Sequence, residues 1–410
     1  MRINSIGSFN VTNQRTQAKK QSFGNAYVTL SRANLADVIS KDVDAYNRGD
    51  FVKMYDSSRE SAQKVIDEVN STLKDNTGKI QTVDDLVDKT DLYVLAGGSG
   101  SRFRPMAAAI ADLRGKGESF NKISVPFELP KDQEPLTMLG IPLAMGRFFA
   151  PKTGYEKIVA EKPSGSFGDV VKNYLPGTSM DYPTRAPRDV VVCCGDNVFD
   201  MKSEDLLRYI VRTINDPKKE LGVVGVARTP EEVAGRFGVL AVGDQNQETG
   251  LFPLKGFVEK PALDKAKDLA TPQGDCIANT GMFVIKKDSM KRLIDIIGHE
   301  MRTLGGKSFY IAKNEKEPFD FANATKWTRN LNGDDASDVL MVKTWEDVGE
   351  PQAYQRWAQQ LKQGHYLGNF TPERRDAILE ATKDRVTDDS IQFSLNPKGE
   401  TVIDDINIKA

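Results

Sequence analysis

Two kinds of apolar pattern alternate along much of the chain. Leu92-Tyr93-Val94-Leu95-Ala96 is a short continuous apolar run that ends at Gly97-Gly98, and similar runs follow at Val190 to Cys194, Gly222 to Ala227, Val239 to Val242 and Met282 to Ile285. Runs of this length bounded by turn residues predict strands buried on both faces, as in a parallel sheet. Between several of them apolar residues recur at helical spacing, at Ser203 to Ile214 and Ser289 to Ile297, and a last helix near Pro351 to Leu361 closes the core. Ser203 ahead of Leu206, Leu207, Ile210 and Val211 predicts a helix with its own cap and one apolar stripe. Strand alternating with helix predicts a wound α/β sheet.

The flanks have a different texture. Residues 1–25 are rich in Asn, Gln, Ser, Thr and Lys and predict a flexible tail. Over residues 26–90, Leu35, Val38, Ile39 and Val43, then Val65, Ile66, Val69 and Leu73, recur at helical spacing, and Asn76-Thr77-Gly78 reads as a stop. This predicts a helical N-terminal extension of two or three helices, for packing or oligomerisation. The α/β core then spans 91–361, and 362–410 form a short C-terminal extension.

Composition narrows the classes. Among 410 residues, 56 Lys and Arg face 58 Asp and Glu, a net charge of −2, which argues against a basic nucleic-acid surface. No stretch approaches the about 20 apolar residues that a membrane span needs, and the amino terminus lacks the apolar block of a secretory signal, so a cytoplasmic protein without membrane attachment is expected. The three cysteines, Cys193, Cys194 and Cys276, have neither a disulfide nor a zinc spacing and predict reduced core residues. His299 and His365 stand apart from any nucleophile setting, which disfavours histidine-based catalysis.

The most informative segment is Leu95-Ala96-Gly97-Gly98-Ser99-Gly100-Ser101-Arg102-Phe103-Arg104-Pro105. Glycines after a buried strand let the backbone approach a phosphate chain, with N–H groups as donors, and Arg102 can add charged donors. No Gly-Lys-Ser or Gly-Lys-Thr completes a P-loop, and Phe103 stands where the dinucleotide fingerprint needs its third glycine. Phosphate binding by another fold remains.

This segment resembles the signature of the sugar-1-phosphate nucleotidylyltransferases, also called sugar-nucleotide pyrophosphorylases, with Phe103 in place of leucine. The resemblance runs in order from about 91 to 360. It continues at Lys122-Ile123-Ser124-Val125-Pro126, similar to the family's lysine element, although the gap from Arg102 is longer than usual and leaves Lys116 in Gly115-Lys116-Gly117 as a competitor. Glu161-Lys162-Pro163-Ser164-Gly165 resembles the base-recognition turn, with Glu161 where the family most often carries Gln. Asp196 in Gly195-Asp196-Asn197 and Asp347 in Trp345-Glu346-Asp347-Val348-Gly349-Glu350-Pro351 resemble the magnesium aspartates. Gly238 in Gly235-Arg236-Phe237-Gly238-Val239, Glu259-Lys260-Pro261, and Asn279 in Asn279-Thr280-Gly281 resemble the sugar-phosphate elements. Taken singly, each acid also reads as a turn or cap residue.

The resemblance implies a Rossmann-like wound mixed sheet of the nucleotide-diphospho-sugar transferase type, with the helical segment added at its N-terminus. It implies Mg²⁺-dependent transfer of a nucleotidyl group from an NTP to a sugar 1-phosphate, with glucose 1-phosphate as the default. Leu95, Ala96, Gly97, Gly98, Gly100, Glu161 and Gly165 would bind nucleotide, Arg102 and Lys122 would be catalytic, Gly238, Glu259, Lys260 and Asn279 would bind sugar phosphate, and Asp196 and Asp347 would hold Mg²⁺. Such a reaction needs positioned charge and no covalent nucleophile. A homo-oligomer is compatible. Two alternatives stay open: a non-catalytic nucleotide or sugar-phosphate sensor acting through the N-terminal helices, and a molybdenum-cofactor or cytidine-lipid nucleotidylyltransferase on the same fold. The left-handed β-helix repeat that often follows the core in this family is not seen in 362–410, and the base is not named by the residues.

Overall fold

The computed structural model describes residues 28–31, 50–73, 79–95, 103, 126–127, 136–138, 140–146, 148, 158–161, 188–289, 299–304, 307–312, 336–383, 391–395 and 401–406. In chain order the elements are β1 (Val28–Ser31), α1 (Asp50–Thr72), α2 (Val83–Lys89), β2 (Thr90–Leu95), β3 (Pro126–Phe127), β4 (Leu136–Thr137), α3 (Gly140–Met145), β5 (Ile158–Glu161), β6 (Asp189–Cys194), β7 (Asn197–Phe199), α4 (Ser203–Asn215) and β8 (Leu221–Arg228). There follow α5 (Pro230–Val233), β9 (Val239–Val242), β10 (Phe252–Val258), α6 (Leu263–Asp268), β11 (Cys276–Ile285), β12 (His299–Leu304), β13 (Lys307–Ala312), β14 (Ser337–Val342), β15 (Trp345–Asp347), α7 (Pro351–Lys362), α8 (Pro372–Lys383), β16 (Ile391–Leu395) and β17 (Thr401–Ile406).

Nine of these strands form one mixed sheet in the order β5-β1-β2-β6-β11-β8-β14-β10-β9. The β5, β1, β2 and β6 strands run parallel, and β11 inserts antiparallel between β6 and β8. The unbroken Val-rich runs of β6 and β8 are buried, which is why they lie in the middle. A turn of register divides β11. Up to Ala278 it pairs with β9, from Phe283 it pairs with β6, and both halves stay on β8. The break falls at Asn279-Thr280-Gly281, where Gly281 takes φ 76°, a left-handed conformation that costs glycine nothing sterically.

Helix α4 buries its Leu206, Leu207, Ile210, Val211 and Ile214 stripe, and α1 packs on α4. The cap differs from expectation. Lys202 is the N-cap and makes no side-chain cap bond, and Asn369 Oδ1 instead accepts from the Ser203 N–H at 2.8 Å and from its hydroxyl at 3.0 Å. Burial of Ser203 turns its hydroxyl toward tertiary partners, so the cap comes from a distant side chain. Four further differences concern elements. Val28–Ser31 is a sheet strand inside a stretch whose apolar spacing suggested helices alone; β11 starts at Cys276 and not Met282; β10 and β14 are strands whose buried positions are interrupted by half-buried or exposed ones, so no continuous apolar run marks them; and α8 follows α7. Most of the expected helix at Ser289 to Ile297, from 290 onward, lies outside the described residues, as do residues 1–25. Among the described residues no helix is long and apolar enough to cross a membrane. None of the three cysteines forms a disulfide; Cys193 and Cys276 are buried, whereas Cys194 is only partly so.

Candidate active site

The four parallel strands end in register. Glu161 of β5 pairs with Ser31 of β1, which pairs with Leu95 of β2, which pairs with Cys194 of β6. Ligands of open α/β sheets collect at this carboxyl edge. The register therefore sets the last residue before the glycine segment beside the last residue before the Gly195-Asp196 turn. Ala96, Gly97, Gly98, Gly100, Arg102, Lys116, Lys122 and Gly165 lie outside the described residues, and Leu95 and Glu161 are placed by strand register. Phe103, one residue past Arg102, is fully buried, with its ring 5.8 Å from that of Tyr354 on α7. Phe103 thus packs against the helix that follows Asp347.

The two expected metal aspartates, far apart in the sequence, meet on one ribbon. Strands β7 and β15 pair antiparallel, Asn197 with Asp347, Val198 with Glu346 and Phe199 with Trp345, and the Val348 N–H donates to the Asp196 carbonyl at 2.9 Å. Asp196 and Asp347 are both half-buried. Burial, and after it the charge of Asp196, pushes the neighbouring Cys193 thiol up to about 12. The ribbon is held on several sides. The Trp345 ring meets Phe237 edge-on at 5.1 Å, Arg236 pairs with Glu350 at 2.9 Å, and Arg356 makes two bonds to Glu346 at 3.0 and 3.2 Å. His365 Nδ1 lies 2.9 Å from Asp200 Oδ2, where the ribbon leads into α4.

Gly238, Glu259 and Asn279 also converge. The Asn279 N–H donates to the Gly238 carbonyl at 2.8 Å. A Cβ on Gly238 would stand 2.3 Å from the Phe257 ring and 2.9 Å from Glu259 Oε2, so only glycine admits this approach. Lys260 follows at φ 42°, with Nζ 3.8 Å from Glu259 Oε1 and its side chain 58% exposed, while the Gly235 N–H donates to the Pro261 carbonyl at 2.9 Å. Asn279 Oδ1 accepts the Gly281 N–H at 3.0 Å, so its amide NH₂ is the group with hydrogens to offer a ligand.

Asn197 joins the two groups. Its Nδ2 donates to the Thr280 carbonyl, and a Cβ on Gly281 would stand 3.3 Å from that nitrogen and 3.4 Å from Cys194 Sγ. Sequence reasoning assigned it nothing. The available signal was an amide directly after the acid in a turn that leaves a strand at the ligand edge. Among the described residues no group of three or more His, Cys, Asp and Glu could hold a metal ion by themselves.

Residues 178–364 match the nucleotidyl transferase family model. No curated relative matches the chain. Similar solved structures include a mannose-1-phosphate geranyltransferase from Thermus thermophilus, at 16% identity over 65% of this chain and 78% of that one with a TM-score of 0.39. A putative glucose-1-phosphate thymidylyltransferase from Bacillus anthracis is similar at 16% identity over 65% and 93% with a TM-score of 0.37, and a UDP-glucose pyrophosphorylase from Acinetobacter baumannii at 16% over 87% and 99% with a TM-score of 0.39. The family match spans Asp196, Gly238, Glu259, Lys260, Asn279 and Asp347. Over residues 178–364 the chain is thus similar to the nucleotidyl transferase family.

Proposed function

We propose that this enzyme transfers a nucleotidyl group from an NTP to a sugar 1-phosphate, glucose 1-phosphate or a close relative, and releases pyrophosphate. The observation that carries this reading is the meeting of Asp196 and Asp347 on one ribbon at the carboxyl edge of β6, one residue from the amide that reaches the Asn279-Thr280-Gly281 segment. Two carboxylates suit Mg²⁺, which takes one or two protein carboxylates and completes its shell with phosphate oxygens and water. Bound there, Mg²⁺ would supply charge neutralisation across the α-phosphate and the sugar phosphate.

The remaining work falls to the chain. An oxygen of the sugar phosphate attacks the α-phosphorus, the bond to the β-phosphate oxygen breaks, and pyrophosphate leaves with that electron pair; no enzyme nucleophile is required. The glycine segment, Gly97 to Gly100, and Arg102 would hold the β- and γ-phosphates. Glu161 and Gly165 would meet the base. Lys122, or Lys116, would balance the triphosphate. Glu259 would accept from sugar hydroxyls, the Asn279 amide would donate to another, Gly238 would let the sugar approach the backbone, and Lys260 would meet the sugar phosphate.

Asp196→Asn and Asp347→Asn remove charge with little change of shape. Each is expected to abolish pyrophosphate release from NTP and glucose 1-phosphate with Mg²⁺ while circular dichroism and thermal unfolding stay those of the wild type. Wild-type turnover with full activity in either variant would remove that residue from the site. Nucleotide binding by the wild type without turnover on any of a panel of sugar 1-phosphates would favour a sensor.

A further inference from the structure

We infer that Asn197 is a positioning residue that fixes the separation between the acidic pair and the sugar-phosphate side, and so aligns the attack on the α-phosphorus. The inference rests on the reaction proposed above. Through its backbone, Asn197 faces Asp347 across the ribbon and directly follows Asp196. Its side chain is 5% exposed, and Nδ2 donates to the carbonyl of Thr280, the middle residue of the break in β11. The same break is held on its other side by the Thr280 hydroxyl, which donates to the Val224 carbonyl at 2.8 Å, and at its start by the Asn279 N–H on Gly238. One buried amide therefore stands between the two carboxylates and the Gly238, Glu259 and Asn279 set. The fit around it is close, since a Cβ on residue 281 would stand 3.3 Å from Nδ2, tighter than an ordinary contact.

The choice of an amide has a reason. Asn donates to Thr280 without charge, whereas a carboxylate would face that carbonyl with no hydrogen to give and would add a third negative charge beside Asp196 and Asp347. An unpaired Thr280 carbonyl would let the break in β11 relax away from the ribbon. Misplacement of reacting groups by about 1 Å costs on the order of 100-fold in rate. Loss of Asn197 should therefore act on the transfer step and on sugar phosphate, and leave the triphosphate side alone.

The test compares wild type, Asn197→Ala, Asn197→Asp, Gly281→Ala and the double variant Asn197→Ala/Gly281→Ala. NTP and glucose 1-phosphate are varied independently in pyrophosphate release, NTP and glucose 1-phosphate binding are measured separately by calorimetry without Mg²⁺, and thermal unfolding is recorded. For Asn197→Ala, kcat should fall by on the order of 100-fold and the Kd for glucose 1-phosphate should rise, with KM and Kd for NTP near wild type. Asn197→Asp should be worse than Asn197→Ala. Because both single changes loosen one contact, the double variant should lose less than the product of the two. Should Asn197→Ala not fold, Gly281→Ala keeps the amide, moves the segment, and carries the same expected split. Unchanged kcat in folded Asn197→Ala, or an equal loss for both substrates in step with the melting temperature, overturns the positioning role alone. A wild type that releases no pyrophosphate with any sugar 1-phosphate overturns the reaction and this role together.

Discussion

Lys260 holds a backbone conformation that a residue with a Cβ rarely takes. Its φ of 42° is shared among the described non-glycine residues only with Tyr366 at 66°. Left-handed backbone costs such a residue about 1–2 kcal/mol, and glycine would avoid it. Burial returns little, because the side chain is more than half exposed, so the surrounding bonds, including the Gly235 N–H to Pro261, must hold the turn. Strain of this kind collects at functional positions. The expected outcome for Lys260→Gly is therefore a divorce of stability from activity. Relief of the strain is offset by the looser unfolded chain, about 0.4–1 kcal/mol, which leaves stability unchanged or raised by up to about 1.6 kcal/mol in urea unfolding. Steady-state kinetics should show a higher KM for sugar 1-phosphate and an unaltered KM for NTP. A destabilised variant with the original sugar-phosphate KM would reduce Lys260 to a turn residue.

Among the elements, α1 and α4 are joined by a network that no apolar pattern reveals. The Ile80 N–H donates to Asn215 Oδ1 at 2.9 Å, the Ile80 carbonyl accepts from Asn70 Nδ2 at 3.0 Å and Asn215 Nδ2 at 2.8 Å, and Asn215 Nδ2 donates to Asn70 Oδ1 at 2.7 Å. All three residues are buried, so each group needs its partner. Asn215→Ala strips Ile80 of its N–H acceptor and should lower the urea midpoint by an amount equivalent to about 1–3 kcal/mol with the slope unchanged. A midpoint equal to wild type would mean that water replaces the asparagine. What could be read from sequence follows the same division. The stripe Val65, Ile66 and Val69 of α1 and the runs of β6 and β8 are legible because their burial depends on neighbours at fixed spacing. Val28 to Ser31 offers four residues with two polar ones, and its place in the sheet comes from β2 and β5, far along the chain. Asp196 and Asp347 were singled out as candidates by type and order. Their adjacency was not legible, because the register of β7 on β15 is a tertiary fact, and Asn197 was missed because its partner is a backbone carbonyl, which carries no residue signature.

At the scale of the whole molecule the two ends of the sheet carry different charges for different ends. The carboxyl edge carries the candidate site, whereas the opposite edge buries Asp91, Asp189, Glu220 and Lys286 among the starts of β2, β6 and β8 and the end of β11. There Arg188 reaches Asp91 at 3.4 Å, the Lys287 N–H donates to Asp189 at 2.9 Å, and Lys286 Nζ donates to the carbonyl of Asp216, the residue that ends α4. A cation suits a helix carboxyl end, yet burial first, and the nearby Lys79 charge second, bring Lys286 down to about 8 from its ordinary 10.5. Between those values the unfolded chain binds the proton more strongly than the folded one, so the contribution of Lys286 to stability is full above 10.5 and is lost as pH falls through about 8. The raw curve mixes this with groups that shift the other way. Burial raises Cys193 and Tyr209, which subtract stability at higher pH. Lys286→Met keeps those groups and removes only the ammonium, so the difference between the two proteins isolates it. Urea midpoints taken from pH 7 to pH 10 should show the wild type gaining on Lys286→Met as pH rises, and a difference that stays flat across that range would mean Lys286 keeps its ordinary affinity for the proton in the folded enzyme.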